Sequence, residues 1–114
     1  MPFGSVRAAV SQEDFMVRNT AELVNLCSAA PGDPLATAAI HFCQGFAVGV
    51  YRTLSEAQSA MPRKLFCPTS PMPTRDQATA DFVAWARANP GVMSEQPSDA
   101  ILRYLTQHYP CAAR

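Results

Sequence analysis

Residues 33–51 read DPLATAAIHFCQGFAVGVY, and this stretch decides the fold. Asp33 followed by Pro34 marks a helix start: an acidic cap, then a proline whose missing N–H is no loss in a first turn. From Leu35 to Tyr51 the residues are apolar almost all round, interrupted by Thr37, His41 and Gln44. Continued to about Gln58, such a helix would be ~37 Å long at its ordinary rise per residue. So little polar face predicts a long central helix within a core. A membrane span needs about 20 uninterrupted apolar residues. This run is shorter, alanine-rich and broken, so no membrane span is expected. Gly45 and Gly49 make a G-x-x-x-G inside the helix. Each glycine costs up to ~1 kcal/mol against alanine there. The expected reason is close helix packing, another backbone approaching at Gly45 and Gly49, with a dimer seam as the alternative.

Outward from this helix the punctuation is clear. Residues 1–18 are weakly patterned and read as an N-terminal arm, with one turn around Gln12 to Val17. A first helix opens at Asn19 or Thr20, with Glu22 suiting the helix dipole and Leu23, Val24, Leu26 and Cys27 forming one apolar side. Pro31 and Gly32 break it. Beyond the long helix, residues 59–73 hold Pro62, Pro68, Pro71 and Pro73, a proline-rich loop whose Leu65-Phe66-Cys67 should dock on the core. Thr74 and Gln77 have capping-box spacing and open a third helix to about Ala88, with Ala78, Phe82, Trp85 and Ala86 inward. A fourth helix starts near Pro97 or Ser98 and runs to about His108, its stripe being Ile101, Leu102 and Leu105. No segment alternates as a strand would. The expected class is all-α: a compact four-to-five-helix domain over residues 19–114, stapled by two disulfides.

The chain has 114 residues, enough for one core, and is 48% hydrophobic and 16% charged. Nine basic residues balance nine acidic ones. A neutral chain has no general basic face for nucleic acid or an anionic membrane. Cys27, Cys43, Cys67 and Cys111 lie far apart with no C-x-x-C, which predicts two disulfides made in an oxidising compartment, the periplasm or outside. The first ten residues lack the apolar core of a signal peptide. An exported chain would then be a mature form behind an added start methionine, or one with a trimmed start. The expected pairing is Cys43 with Cys67 and Cys27 with Cys111. The loop from the end of the long helix can retrace the ~21 Å back to Cys43, leaving Cys27 to clamp the C-terminus.

Chemistry is sparse. His41 and Cys43 point about 200° apart on a helix and cannot share an ion. His108 and Cys111 are separated by Pro110. Neither pair predicts a metal, and His41 reads as a core histidine with a satisfied hydrogen bond. Four paired cysteines leave no thiol nucleophile. There is no G-x-S-x-G, P-loop, H-E-x-x-H or dinucleotide fingerprint. No catalytic residue and no cofactor are expected, and the chain reads as a binding protein rather than an enzyme.

The order of its motifs is familiar. Leu23-x-x-Leu26-Cys27, then Ala39-Ile40-x-Phe42-Cys43-x-Gly45-Phe46-x-x-Gly49, then Phe66-Cys67-Pro68, Phe82-Val83-x-Trp85-Ala86, Pro90 and Tyr109-Pro110-Cys111 together resemble the Rap/Tai immunity proteins of type VI secretion. The span is about residues 15–111. The resemblance implies a small helical, disulfide-bonded periplasmic protein, often a homodimer, that binds and blocks a peptidoglycan-cleaving amidase toxin. The alternative is an accessory or stabilising subunit of a cell-envelope complex built on the same scaffold. The shared motifs are cysteines, glycines and aromatics, which belong to the scaffold and do not place a partner. The expected contact surface is Ser59 to Arg75, with Arg63, Lys64 and Arg75 giving a local positive charge and no acidic residue. Its prolines lower the ordering cost of binding, and Met72 between two prolines can fill a partner's cleft.

Overall fold

Asn19 caps the first helix as its sequence predicts. In the computed structural model, which describes residues 9–112, its side chain accepts from the Glu22 N–H at 2.9 Å. Glu22 reaches back to accept from the Arg18 N–H at 2.6 Å. These bonds satisfy donors that a helix start leaves unpaired. The helix that follows, α1 (Thr20–Cys27), is short yet the most buried: Leu23 and Leu26 are wholly inaccessible. Thr20 is also buried, and both its N–H and its hydroxyl donate to the Glu95 carbonyl at 2.9 Å.

The second helix, α2 (Ala36–Ser59), starts two residues later than the Asp33-Pro34 signal suggests. Asp33 caps the turn ahead of the helix instead. Its carboxylate accepts from the Leu35 N–H and from the Val10 N–H, each at 2.8 Å. Both bonds favour the charged form and hold this carboxyl below its ordinary range. The same aspartate therefore ties residues near the chain start to the helix hairpin. Val10 is buried, and a 3-10 turn (Gln12–Met16) follows it. Asp14 in that turn accepts from the Ser11 N–H and the Asn25 side chain. Val17 closes the turn in a left-handed conformation (φ 46°) that a β-branched residue rarely adopts. Residues 1–8 of the expected arm lie outside the described residues.

α2 is the longest helix, but it is not the buried centre that its apolar run predicts. Only Ala39, Cys43 and Gln58 are buried. One side packs on α1 and on the fourth helix, while His41, Phe42, Gly45 and Gly49 are exposed. Alanine and glycine bury little area per residue, so an all-round apolar helix of this kind can sit at the surface at low cost. His41 is accordingly no core histidine. Nor do the glycines mark close packing among the described residues: a Cβ at Gly45 or Gly49 would meet none of their atoms within 4 Å.

The third helix, α3 (Arg75–Ala88), opens at Thr74, whose hydroxyl accepts from the Gln77 N–H. Gln77 does not complete the box; its amide donates to Asp81 at 3.0 Å. A 3-10 turn (Pro90–Ser94) leads to α4 (Pro97–His108). Phe82, Trp85 and Tyr104 pack edge-to-face or tilted at centroid separations of 5.6–5.9 Å, within the range aromatic pairs prefer. Trp85 donates its indole N–H to Gln107 at 2.8 Å. The described residues contain four α-helices and no strand, as expected for an all-α domain.

All four cysteines are paired, but the partners differ from the expected ones. The disulfides are Cys27–Cys43 and Cys67–Cys111. The connection from residue 28 to 35 is short enough to fold α2 back along α1, which puts Cys27 beside Cys43 with Cα atoms 5.1 Å apart. The loop after α2 never reaches Cys43. Its buried Phe66 stops against Tyr51, ring centroids 5.9 Å apart, two helical turns short. Cys67 then meets the other end of the chain.

Candidate functional site: a pinned loop

Gln58, one residue before the end of α2, is buried and faces the loop that follows. Its Oε1 accepts from the Leu65 N–H at 2.9 Å and the Phe66 N–H at 3.2 Å. Its Nε2 donates to the Phe66 carbonyl at 2.9 Å. One side chain thus satisfies three backbone groups in the middle of the loop, and Phe66 is fully buried beneath them. A residue further on, the Cys67 N–H donates to the Tyr109 carbonyl at 2.7 Å, and the disulfide to Cys111 lies beside that bond. The loop's middle is therefore held at its backbone, and its remaining side chains face out.

The outward side chains have a distinct character. Met61, Leu65 and Met72 are each more than two-fifths exposed. Arg63, Lys64 and Arg75 are exposed too. Among the described residues the ion pairs join Arg18 to Glu13 and Glu22, and Arg103 to Glu95, so the loop's three cations are unpaired. All four residues expected to contact a partner, Arg63, Lys64, Met72 and Arg75, lie at the surface, Arg75 as the first residue of α3. Leu65 was expected inward with Phe66 and faces out. Sequence reasoning missed Leu65, Met61 and Gln58. The signal for Leu65 is alternation: in an extended segment its neighbour Phe66 takes the inward place.

Behind the loop, α2 and α3 diverge around an apolar cavity of about 170 Å³ that reaches the Cys27–Cys43 disulfide. The Gln44 side-chain amide bridges the two helices, donating to Asp76 at 2.8 Å. Tyr104 lines this cavity, and its hydroxyl is cut off from water with no partner at ordinary hydrogen-bonding geometry. Burial, then the neighbouring Tyr109 and Asp81, push it up to about 12. Tyr109 is raised as well, again chiefly by burial. His108 stacks on Tyr104 at 4.0 Å and its Nδ1 sits 3.0 Å from the Tyr104 carbonyl. Among the described residues no three His, Cys, Asp or Glu side chains converge as metal ligands would, and no helix is long and apolar enough to cross a membrane. The arrangement offers a preshaped surface for recognition.

Compared with known protein families, residues 19–111 match the Rap1a immunity proteins. Searches of curated proteins and of solved structures found no match.

Proposed function

The chain belongs to the Rap1a immunity family, and from that premise we propose that it binds and blocks a peptidoglycan-cleaving amidase delivered by type VI secretion. It acts in the periplasm, as a non-enzymatic inhibitor and as a homodimer. The observation that supports a binding role most directly is the loop of residues 60–74. Gln58 and the Cys67–Cys111 disulfide hold it in place before any partner arrives, so little ordering entropy is lost on binding. Its exposed Met61, Leu65 and Met72 supply apolar contact; Arg63 and Lys64, with Arg75 at the start of α3, have no ion-pair partner among the described residues and suit an acidic rim on the partner. Two disulfides in a chain this small fit an oxidising compartment.

The test is capture of partners from periplasm with identification by mass spectrometry, followed by peptidoglycan digestion assays on the captured protein. The expected outcome is a stoichiometric amidase whose cleavage stops when this protein is added. A stable companion without hydrolase activity would instead support an accessory subunit of an envelope complex. Once the amidase is in hand, the Met72→Ala, Arg63→Ala, Lys64→Ala triple variant should bind it more weakly by at least ~2 kcal/mol, the scale of an interface hot spot. A folded triple variant that binds as tightly as the parent would move the interface off this loop.

A further inference from the structure

We propose that the cavity between α2 and α3 is a binding site for a small, neutral, single-ring aromatic molecule. Protein interiors are packed as tightly as organic crystals and seldom leave a void larger than a water. Here an apolar cleft of about 170 Å³ is left between the helices, open to solvent over part of its boundary. An enclosed apolar cavity of about 150 Å³ accepts benzene, so the volume here is that of one aromatic ring.

The origin of the space is visible in the sequence. α2 presents Ala47 to it and α3 presents Ala78, and neither side chain is long enough to reach across. Larger side chains line the rest of it: Leu23 of α1, Phe82 of α3, and Ile101 and Leu105 of α4, all buried. Water in such a site would find too few polar partners to be held. Tyr51 and Tyr104 line the space, and aromatic side chains favour an aromatic guest through offset or edge-on contacts. A charged guest would lose its hydration, and the neutral Tyr104 hydroxyl buried beside the space could not replace it. Met72, more than two-fifths exposed, borders the same cavity from the loop. Its unbranched side chain can adjust over a guest.

The experiment uses the whole oxidised protein with benzene and toluene as probes. Thermal melts and methyl NMR of Met72, Ile101 and Leu105 are recorded at rising probe concentration. The expected result is a saturable rise in melting temperature and shifts at those three methyl groups. Ala47→Leu and Ala78→Leu fill the space and should weaken probe binding more than tenfold. Both should keep the parent's helical circular dichroism and melt no lower than the parent. Absence of methyl shifts at millimolar probe would overturn the proposal. So would equal probe binding by parent and by either filled variant, since the probe would then sit elsewhere.

Discussion

Gln58 is the residue on which the loop depends. It is polar, it lies in a helix that ends one residue later, and nothing in its sequence neighbourhood distinguishes it from a surface glutamine. Yet its amide pairs three backbone groups of Leu65 and Phe66. Removing it leaves buried donors and an acceptor without partners, each costing about 1–3 kcal/mol where water cannot reach. Gln58→Leu should therefore lower unfolding stability by about 2–4 kcal/mol in a urea titration. It should also speed hydrogen exchange at residues 64–67 beyond that at α4. A loss confined to global stability, with no added local exchange, would show that Gln58 does not hold the loop. Tyr104 makes the opposite case. Its hydroxyl is buried and its contact with the Tyr109 hydroxyl falls outside ordinary hydrogen-bonding geometry, so Tyr104→Phe should be close to neutral at pH 7. Its pKa is raised from 10.0 to about 12 in the folded state. Between those values the unfolded chain releases this proton and the folded one keeps it, so stability falls as pH rises through that window. Alkaline melts of parent and Tyr104→Phe should converge near pH 9 and part above pH 10, the parent losing more.

At the scale of elements, what was legible depended on whether the signal was local. α1, α3 and α4 begin where Asn19, Thr74 and Pro97 say they should. A cap bonds within a few residues of itself, so the sequence contains both partners. The disulfide pairing was not legible, because it turns on how far the proline-rich loop climbs back along α2. That distance is set by Phe66 seating against Tyr51 and by Gln58 bonding Leu65, contacts between residues 7–15 apart that no pattern announces. The loop's basic and methionine residues were visible as a surface; the outward turn of Leu65 was hidden by its apolar neighbours. The true pairing makes the two bridges unequal. Cys27 and Cys43 are buried, whereas Cys67 and Cys111 are only partly so. A limiting reductant followed by alkylation should label Cys67 and Cys111 first, since exchange requires access to a sulfur. In the chain-entropy account the bridge closing 44 residues contributes about 4 kcal/mol and the one closing 16 about 3. Cys67→Ala with Cys111→Ala should thus lower stability by about that larger amount and free the loop. Equal labelling of all four cysteines at low reductant would contradict the difference in access.

For the whole molecule the open question is α2's outer face. A neutral chain gains little from charge in meeting a second copy of itself, so a homodimer must rest on shape and apolar area. The sequence places Gly45 and Gly49 one turn apart on that helix, and no internal neighbour packs on them among the described residues. The helix bears their propensity cost of up to ~1 kcal/mol each with no return from within this chain. A shallow groove beside them is lined by Phe46, Val50 and Leu54. These observations reverse the effect that close internal packing would give for Gly49→Leu. Inside one chain the leucine meets open space and is the better helix former, so the variant monomer should melt level with or above the parent, by up to ~1 kcal/mol in stability. If the proposed homodimer pairs across this face, the same leucine wedges the two copies apart. Sedimentation equilibrium should then find the parent dimeric and the variant monomeric, with dimer dissociation at least tenfold easier. A dimer that survives Gly49→Leu unchanged would place the contact on another face. A parent that stays monomeric at high concentration would remove the homodimer from the proposed function altogether.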